Sequence, residues 1–248
     1  MRRVAVAGAA ALALTGAAPG RAAADADGVR QVVTARFTTV HPGAPTGFAL
    51  TAVYPGDAGP PAARHALVHV SDGLPPGTAV DTAGVAQCHA GDAEFSLAGA
   101  GACPPASIVG TGHVTLDLGL PGGVGQVQTA VTLVNTGSEI LFVGREPRTG
   151  VALVDHGRLD GSRIEIDIPR IPGLAAEGAT VLREDFTITR ASRLLRTPAT
   201  CPRRSRRWVL RRGHTYGDGV TQTARVSLPC RRRRGAGARA GGAGMFAR

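Results

Sequence analysis

Short runs of β-branched residues, separated by glycine, proline or Asp-Gly turns, recur along this sequence and constrain its fold more than any other feature. The clearest run is 163–168, where three isoleucines alternate with three charged residues. A period of two residues is typical of a strand with one buried and one solvated face. The Asp160-Gly161 pair just before it predicts a tight hairpin. Eleven strands are predicted in this way, over 32–40, 48–54, 66–70, 114–118, 127–134, 140–143, 151–155, 163–168, 180–189, 208–212 and 220–228.

Many short strands without alternating helices predict an all-β fold, an antiparallel β-sandwich of immunoglobulin-like or jelly-roll-like type. No window longer than about ten residues keeps a helical period of 3.6 outside the N-terminal leader, so no long helix is expected in the mature chain. A single domain over 25–230 is predicted. Two smaller sandwiches divided near the glycine-rich segment 119–125 are the alternative, since each half would then hold one pair of cysteines.

The N-terminus has the features of a secretory signal peptide. Arg2 and Arg3 precede about 15 small and apolar residues, which are too few to span a bilayer as a helix, and 22–24 is an Ala-Ala-Ala cleavage site. Cleavage is predicted after Ala24, with a second frame two residues later. A twin-arginine export signal is the alternative interpretation of the two arginines. The mature protein is therefore expected to be extracellular or associated with the cell envelope, without a transmembrane segment.

The four cysteines fit an oxidising compartment. They form two separated pairs, 15 and 29 residues apart, so the economical pairings are Cys88 with Cys103 and Cys201 with Cys230. Loops of these lengths would each add about 3–4 kcal/mol to the free energy of unfolding in the chain-entropy model. A zinc site is the competing interpretation, although the sequence contains no C-x-x-C motif.

The formal net charge of +10 is unevenly distributed. The leader holds three arginines, the tail 231–248 holds six, and neither contains an acid, which leaves about +1 on residues 25–230. Within that body, six arginines fall between 203 and 212. The tail has nothing to bury and is predicted to be disordered. The candidate anion contacts are Arg203, Arg204, Arg206, Arg207, Arg231, Arg232, Arg233 and Arg234.

No motif identifies a catalytic residue, a cofactor or a metal site. His65 and His69 have an i, i+4 spacing, but on a strand that spacing separates them by about 13 Å. His89, Asp92 and Glu94 cluster after Cys88 and could bind a cation, although a polar loop beside a disulfide has the same composition. The G-x-S-x-G elbow is absent, and Ser71, Ser107 and Ser162 remain generic serines. Aromatic residues make up only 4% of the chain, too few for a nucleic-acid site built on stacking.

Several short segments resemble a set of secreted actinobacterial proteins with two cysteine pairs. The similar segments are Leu-Pro-Pro-Gly at 74–77, Cys-Pro-Pro-Ala-Ser-Ile-Val-Gly at 103–110, Thr-Cys-Pro at 200–202, Trp208, Tyr-Gly-Asp-Gly at 216–219 and Pro-Cys at 229–230. The resemblance covers about 45–230, and Arg207 departs from it, since a glycine is expected before the tryptophan. It implies secretion and a shared cysteine framework, and no activity.

These observations favour a secreted, non-enzymatic structural or interaction module at or near the cell envelope. Two alternatives stay open. One is a secreted hydrolase whose site is assembled from dispersed residues. The other is a binder of anionic envelope polymers or headgroups that acts through the arginine-rich segments.

Overall fold

The structure is a computed structural model that describes residues 20–21, 30–55, 66–118, 125–146, 150, 152–168 and 180–231. The tail from 232 on, which contains Arg232, Arg233 and Arg234, lies outside the described residues, as do His65, segment 119–124 and all of the predicted leader except 20–21. The strands are β1 Gly20–Arg21, β2 Val32–Phe37, β3 Pro45–Thr46, β4 Phe48–Val53, β5 Leu67–Gly73, β6 Ala79–Val80, β7 Ile108–Asp117, β8 Gln126–Asn135, β9 Glu139–Arg145, β10 Ala152–Asp160, β11 Arg163–Asp167, β12 Thr180–Ile188, β13 Leu195–Arg196, β14 Arg207–Tyr216 and β15 Thr221–Pro229.

The all-β prediction is confirmed, because each of the eleven predicted strands corresponds to one of the eleven long strands in the described ranges. The sequence pattern did not predict residues 108–113 at the start of β7, because Gly110 and Gly112 are poor strand formers. A Cβ atom at Gly112 would come within 2.3 Å of the Phe186 ring, so glycine makes room for an aromatic side chain on the neighbouring strand.

Eleven long strands and the short β1 form one continuous antiparallel sheet. Its order is β1-β2-β4-β12-β7-β8-β9-β10-β11-β5-β14-β15, which includes the meander β9-β10-β11 and the predicted hairpin turn at Gly161. A smaller sheet, β3-β13-β6, packs on the same core through Leu194 and Leu195.

The large sheet curls until its two edges meet, so that it is nearly closed. Because β2 and β15 are the first and the last of eleven successive antiparallel strands, they run in the same direction where they lie side by side. Hydrogen bonds from side chains and isolated backbone hydrogen bonds connect β2 and β15 along this seam. The Gln222 side chain accepts from the backbone N–H of Arg30 at 3.2 Å, and the N–H of Arg231 donates to the Val40 carbonyl at 2.8 Å.

The main core lies inside this curled sheet and contains residues from β2 through β15, on both sides of segment 119–124. The alternation of buried and exposed positions explains why: in β15, residues 222, 224, 226 and 228 are buried, and their neighbours face outward. Because the inner faces of distant strands meet, the chain buries one large core built mainly from Val, Leu and Ile.

A second, smaller core lies on the outer face of β8 and β9. It is covered by helix α1, Asp92–Ala98, and the 3-10 turn Gly99–Ala102 that follows. Phe95 packs there against Val134, Leu141 and Val143, beside the Cys88–Cys103 disulfide. This segment was expected to be a polar loop. The helix is only seven residues long, and too short to leave a periodic signal in the sequence.

Candidate functional site: an arginine face and a buried polar cluster

The C-terminal hairpin carries exposed arginines on its outer face. Strand alternation directs Trp208 and Leu210 of β14 into the core, so Arg207 and Arg211 face solvent. Arg225 of β15 lies directly opposite Arg211 and is also exposed. We define the arginine face as Arg203, Arg204, Arg206, Arg207, Arg211, Arg225 and Arg231, all of which are exposed.

The turn that leads into β14 is fixed to the body at several points. The Cys201–Cys230 disulfide, with 5.8 Å between the Cα atoms, ties its start to the end of β15. The N–H of Cys230 donates to the Arg206 carbonyl at 3.0 Å, and the indole N–H of Trp208 donates to the Thr200 carbonyl at 2.9 Å. The arginines of this turn are therefore presented from an anchored segment.

No carboxylate of the described residues lies within 4 Å of a guanidinium of the arginine face. Other exposed arginines do have such partners: Arg158 contacts Asp167 at 2.6 Å and Arg163 contacts Glu165 at 3.5 Å. Like charges directly opposite on neighbouring strands, as at Arg211 and Arg225, are destabilising. An anion bound between them would relieve that repulsion.

A buried polar cluster lies inside the sheet and was not predicted. Arg212 belongs to the same run of arginines, yet it points inward and is 2% exposed. Its guanidinium contacts the Glu184 carboxylate of β12, and its Nε lies 3.5 Å from Asp72 Oδ1 on β5. The hydroxyl of Tyr54 lies 3.3 Å from Glu184 Oε2 and 2.9 Å from the Nε2 atom of His214. Arg212 thus links two opposite walls of the interior.

The hydrogen bonds fix the protonation state of His214. Arg212 Nε can only donate, and it lies 2.9 Å from His214 Nε2, so that nitrogen is the acceptor and Nδ1 carries the proton. Burial and the Arg212 charge both hold the pKa of His214 well below its usual range. Burial also raises the pKa of Tyr54, with a further contribution from Glu184. Histidine and tyrosine therefore stay neutral, and Arg212 stays charged.

Two carboxyl groups on the inner side of the sheet, those of Asp72 and Asp155, have a raised pKa. Burial raises the pKa of Asp72, although the Arg212 charge opposes the shift. Burial and the nearby Glu184 raise the pKa of Asp155, on β10, to about 6. Perturbed ionisable groups often mark functional sites, but buried ion networks perturb them as well. The signal for this cluster was present in the sequence, as polar residues at positions 184, 212 and 214 where the alternation calls for apolar ones.

Ser71 and His69, two of the candidate residues, do not form a nucleophile and base. Ser71 donates to Glu165 Oε1 at 3.0 Å, and His69 contacts Glu165 Oε2 at 3.0 Å and Asp167 at 2.8 Å. The carboxylate therefore lies between the hydroxyl and the imidazole, whereas a serine triad needs the imidazole in the middle. The Ser107 hydroxyl donates to the Pro104 carbonyl at 2.7 Å within a 3-10 turn.

The acidic residues after Cys88 are used by local structure. Glu94 accepts from the Gly91 N–H at 2.8 Å and caps α1, and Asp92 lies 3.3 Å from His156 on β10. Within the described ranges, no group of three or more histidine, cysteine or acidic residues could hold a metal ion. Both predicted disulfides are confirmed, and the Cα atoms of Cys88 and Cys103 are 5.2 Å apart.

No protein-family model, curated protein or solved structure matches the chain. Among the residues that the structure covers, no helix is both long and apolar enough to cross a membrane.

Proposed function

We propose that this protein is a secreted, non-enzymatic interaction module that is held at the cell envelope by anionic polymers bound to its arginine face. The observation that carries this proposal is the set of seven exposed arginines without carboxylate partners among the described residues, gathered on and around one hairpin. Each arginine near an anionic surface contributes about 1 kcal/mol to binding. The guanidinium group also suits bidentate contacts with carboxylate and phosphate groups.

Two disulfides support the extracellular part of the proposal, because such bonds persist in oxidising compartments. The leader would direct export and be removed after Ala24. Mass spectrometry of the exported protein should then find Asp25 or Asp27 at its N-terminus. Exported protein that keeps Met1 would contradict this part of the proposal.

Two charge-matched triple variants test the binding function. The first, Arg207→Gln/Arg211→Gln/Arg225→Gln, removes three arginines of the face. The second, Arg158→Gln/Arg163→Gln/Arg190→Gln, removes three exposed arginines elsewhere and changes the net charge equally. Binding to inorganic polyphosphate and to an acidic polysaccharide is measured at low salt and at about 0.5 M salt, where the screening length is roughly 4 Å.

We expect the first variant to lose about a hundredfold in affinity at low salt, which corresponds to three contacts of about 1 kcal/mol each. The second variant should bind nearly as the wild type does, and high salt should weaken both. Equal losses in the two variants would mean that only net charge matters, and they would contradict a defined arginine face.

A further inference from the structure

A shallow groove crosses the outer face of β2, β4 and β12. Its volume is about 340 Å³, within the range of small-molecule sites, which is roughly 300–1,000 Å³. The outward side chains that line it are small or polar. They are Thr34, Arg36, Ala49, Thr51, Asp185 and Thr187.

The strand register explains the depression. Ala49 of β4 lies between Arg36 of β2 and Thr187 of β12, so the smallest side chain stands in the middle of its row. Phe186 does not fill the groove, because its ring points inward and packs edge-on against Phe142, with 5.2 Å between the ring centroids. The floor of the groove is therefore formed by the backbone and the Ala49 methyl group, and its walls are formed by polar side chains.

The walls offer hydrogen bonds suited to hydroxyl groups. Thr51 donates to Asp185 Oδ1 at 2.6 Å, and Arg183 holds the same carboxylate through both oxygens. The hydrogen bond from Arg183 is the main cause that holds the pKa of Asp185 below its usual range, so the groove contains a carboxylate that is ionised at neutral pH. A hydroxyl group can donate to the remaining lone pairs of this carboxylate, whereas a fully ionised anion has no hydrogen to donate to it.

The groove adjoins the seam between β2 and β15, where the short β1 pairs with residues 34 and 35 of β2. The proposed cleavage after Ala24 would remove β1 and open this edge of the groove toward the arginine face. Contacts between residues 30 and 222 and between 40 and 231 set the register of the seam, which places Arg36 about level with Ser227 on the neighbouring β15. Both residues are on the outer face, and Ser227 lies two positions along β15 from Arg225. Arg36 has no carboxylate partner among the described residues, and it connects the groove to the unpaired arginines.

We propose that the groove receives an uncharged, hydroxyl-rich sugar unit of an acidic glycan whose anionic groups lie on the arginine face. This inference rests on the proposed function and names the class of polymer. A polyanion without hydroxyl groups has no donor for Asp185, whereas a glycan that alternates charged and uncharged units fits both surfaces.

The test compares hyaluronan oligosaccharides, in which charged and uncharged sugars alternate, with inorganic polyphosphate of the same number of charges. Ala49→Phe fills the groove. Ala130→Phe adds the same bulk at an exposed outward position of β8, beyond the groove, and serves as the matched control. Asp185→Asn removes the accepting carboxylate without adding bulk and releases Arg183 from its ion pair. Thermal unfolding verifies that each variant is folded.

For Ala49→Phe we expect about a tenfold loss of hyaluronan affinity, as for two lost hydrogen bonds, and unchanged polyphosphate affinity. Asp185→Asn should weaken hyaluronan binding and strengthen polyphosphate binding. The inference is overturned if Ala49→Phe binds hyaluronan as Ala130→Phe does, or if the wild type binds polyphosphate but not hyaluronan, and in both cases the proposed function stands. If the wild type binds neither polymer, the proposed function fails and the inference fails with it.

Discussion

Arg211 and Arg212 show that a shift of one position along a strand places an arginine on the outer surface or in the interior. Arg211 and Arg212 are neighbours in the chain, yet one faces solvent and the other lies inside the sheet with Glu184 and His214. A buried charge without its partner is costly, so this side chain should matter for stability far more than any exposed arginine.

We expect Arg212→Met to lower the free energy of unfolding by about 3–5 kcal/mol, because Glu184 would be left as an unpaired buried charge. Urea denaturation of the purified protein measures the loss. Arg158→Met, which removes an exposed arginine that also has a carboxylate partner, is the control and should change stability little. Similar stability of the two variants would contradict the structural role of the cluster.

Asp155 gives a pH dependence with a defined sign. Its pKa is raised to about 6 in the folded protein, against about 3.9 in an unfolded chain. The folded state therefore holds this proton more tightly, and the stability it contributes is complete below pH 3.9 and is lost as the pH rises through 6. Because the side chain is only half-buried, we expect Asp155→Asn to be more stable than the wild type by about 1–2 kcal/mol at pH 7.5.

The same comparison at pH 4 provides the control for Asp155→Asn. There the advantage of the variant should nearly vanish, since the wild-type carboxyl is protonated in the folded state. Urea denaturation of both proteins at the two pH values measures this difference. An advantage that stays constant with pH would show that ionisation of Asp155 is not its cause.

At the scale of the element, local pattern was enough to locate the strands but not to order them. The alternation in 163–168 and the turn at Gly161 predicted β11 and its hairpin, because both signals are local. The pairing of β12 with β4 and β7 joins segments more than 60 residues apart, and no local pattern encodes it. The Arg225 position in the arginine face was missed for the same reason.

The two disulfides hold different elements and should have separable effects. Cys201–Cys230 anchors the turn of the arginine face, whereas Cys88–Cys103 holds α1 against β8 and β9. Under the chain-entropy model each stabilises the fold by about 3–4 kcal/mol. We expect Cys201→Ala/Cys230→Ala to reduce polyphosphate affinity more than Cys88→Ala/Cys103→Ala does, as measured by titration at a temperature where both variants are folded. The reverse order would contradict the anchoring role.

At the scale of the whole molecule, the curled sheet separates paired charges in its interior from exposed arginines on its outer surface. Its interior neutralises charge through Arg212 and Glu184, while its outer surface leaves arginines exposed along the final hairpin. The near-closure of the sheet could not be predicted from the sequence, since it depends on the seam between β2 and β15, whose contacts join residues about 190 apart. The all-β class was predictable because it needs only the strands and turns.

The most direct test of the arginine face is a footprint with an arginine-selective dicarbonyl reagent, read by peptide mass mapping with and without a saturating anionic polymer. We predict that the polymer protects Arg207, Arg211 and Arg225, while Arg158, Arg163 and Arg190 react at the same rate in both samples. Protection spread equally over all six arginines, or absent from the hairpin, would contradict the proposal that this face binds the polymer.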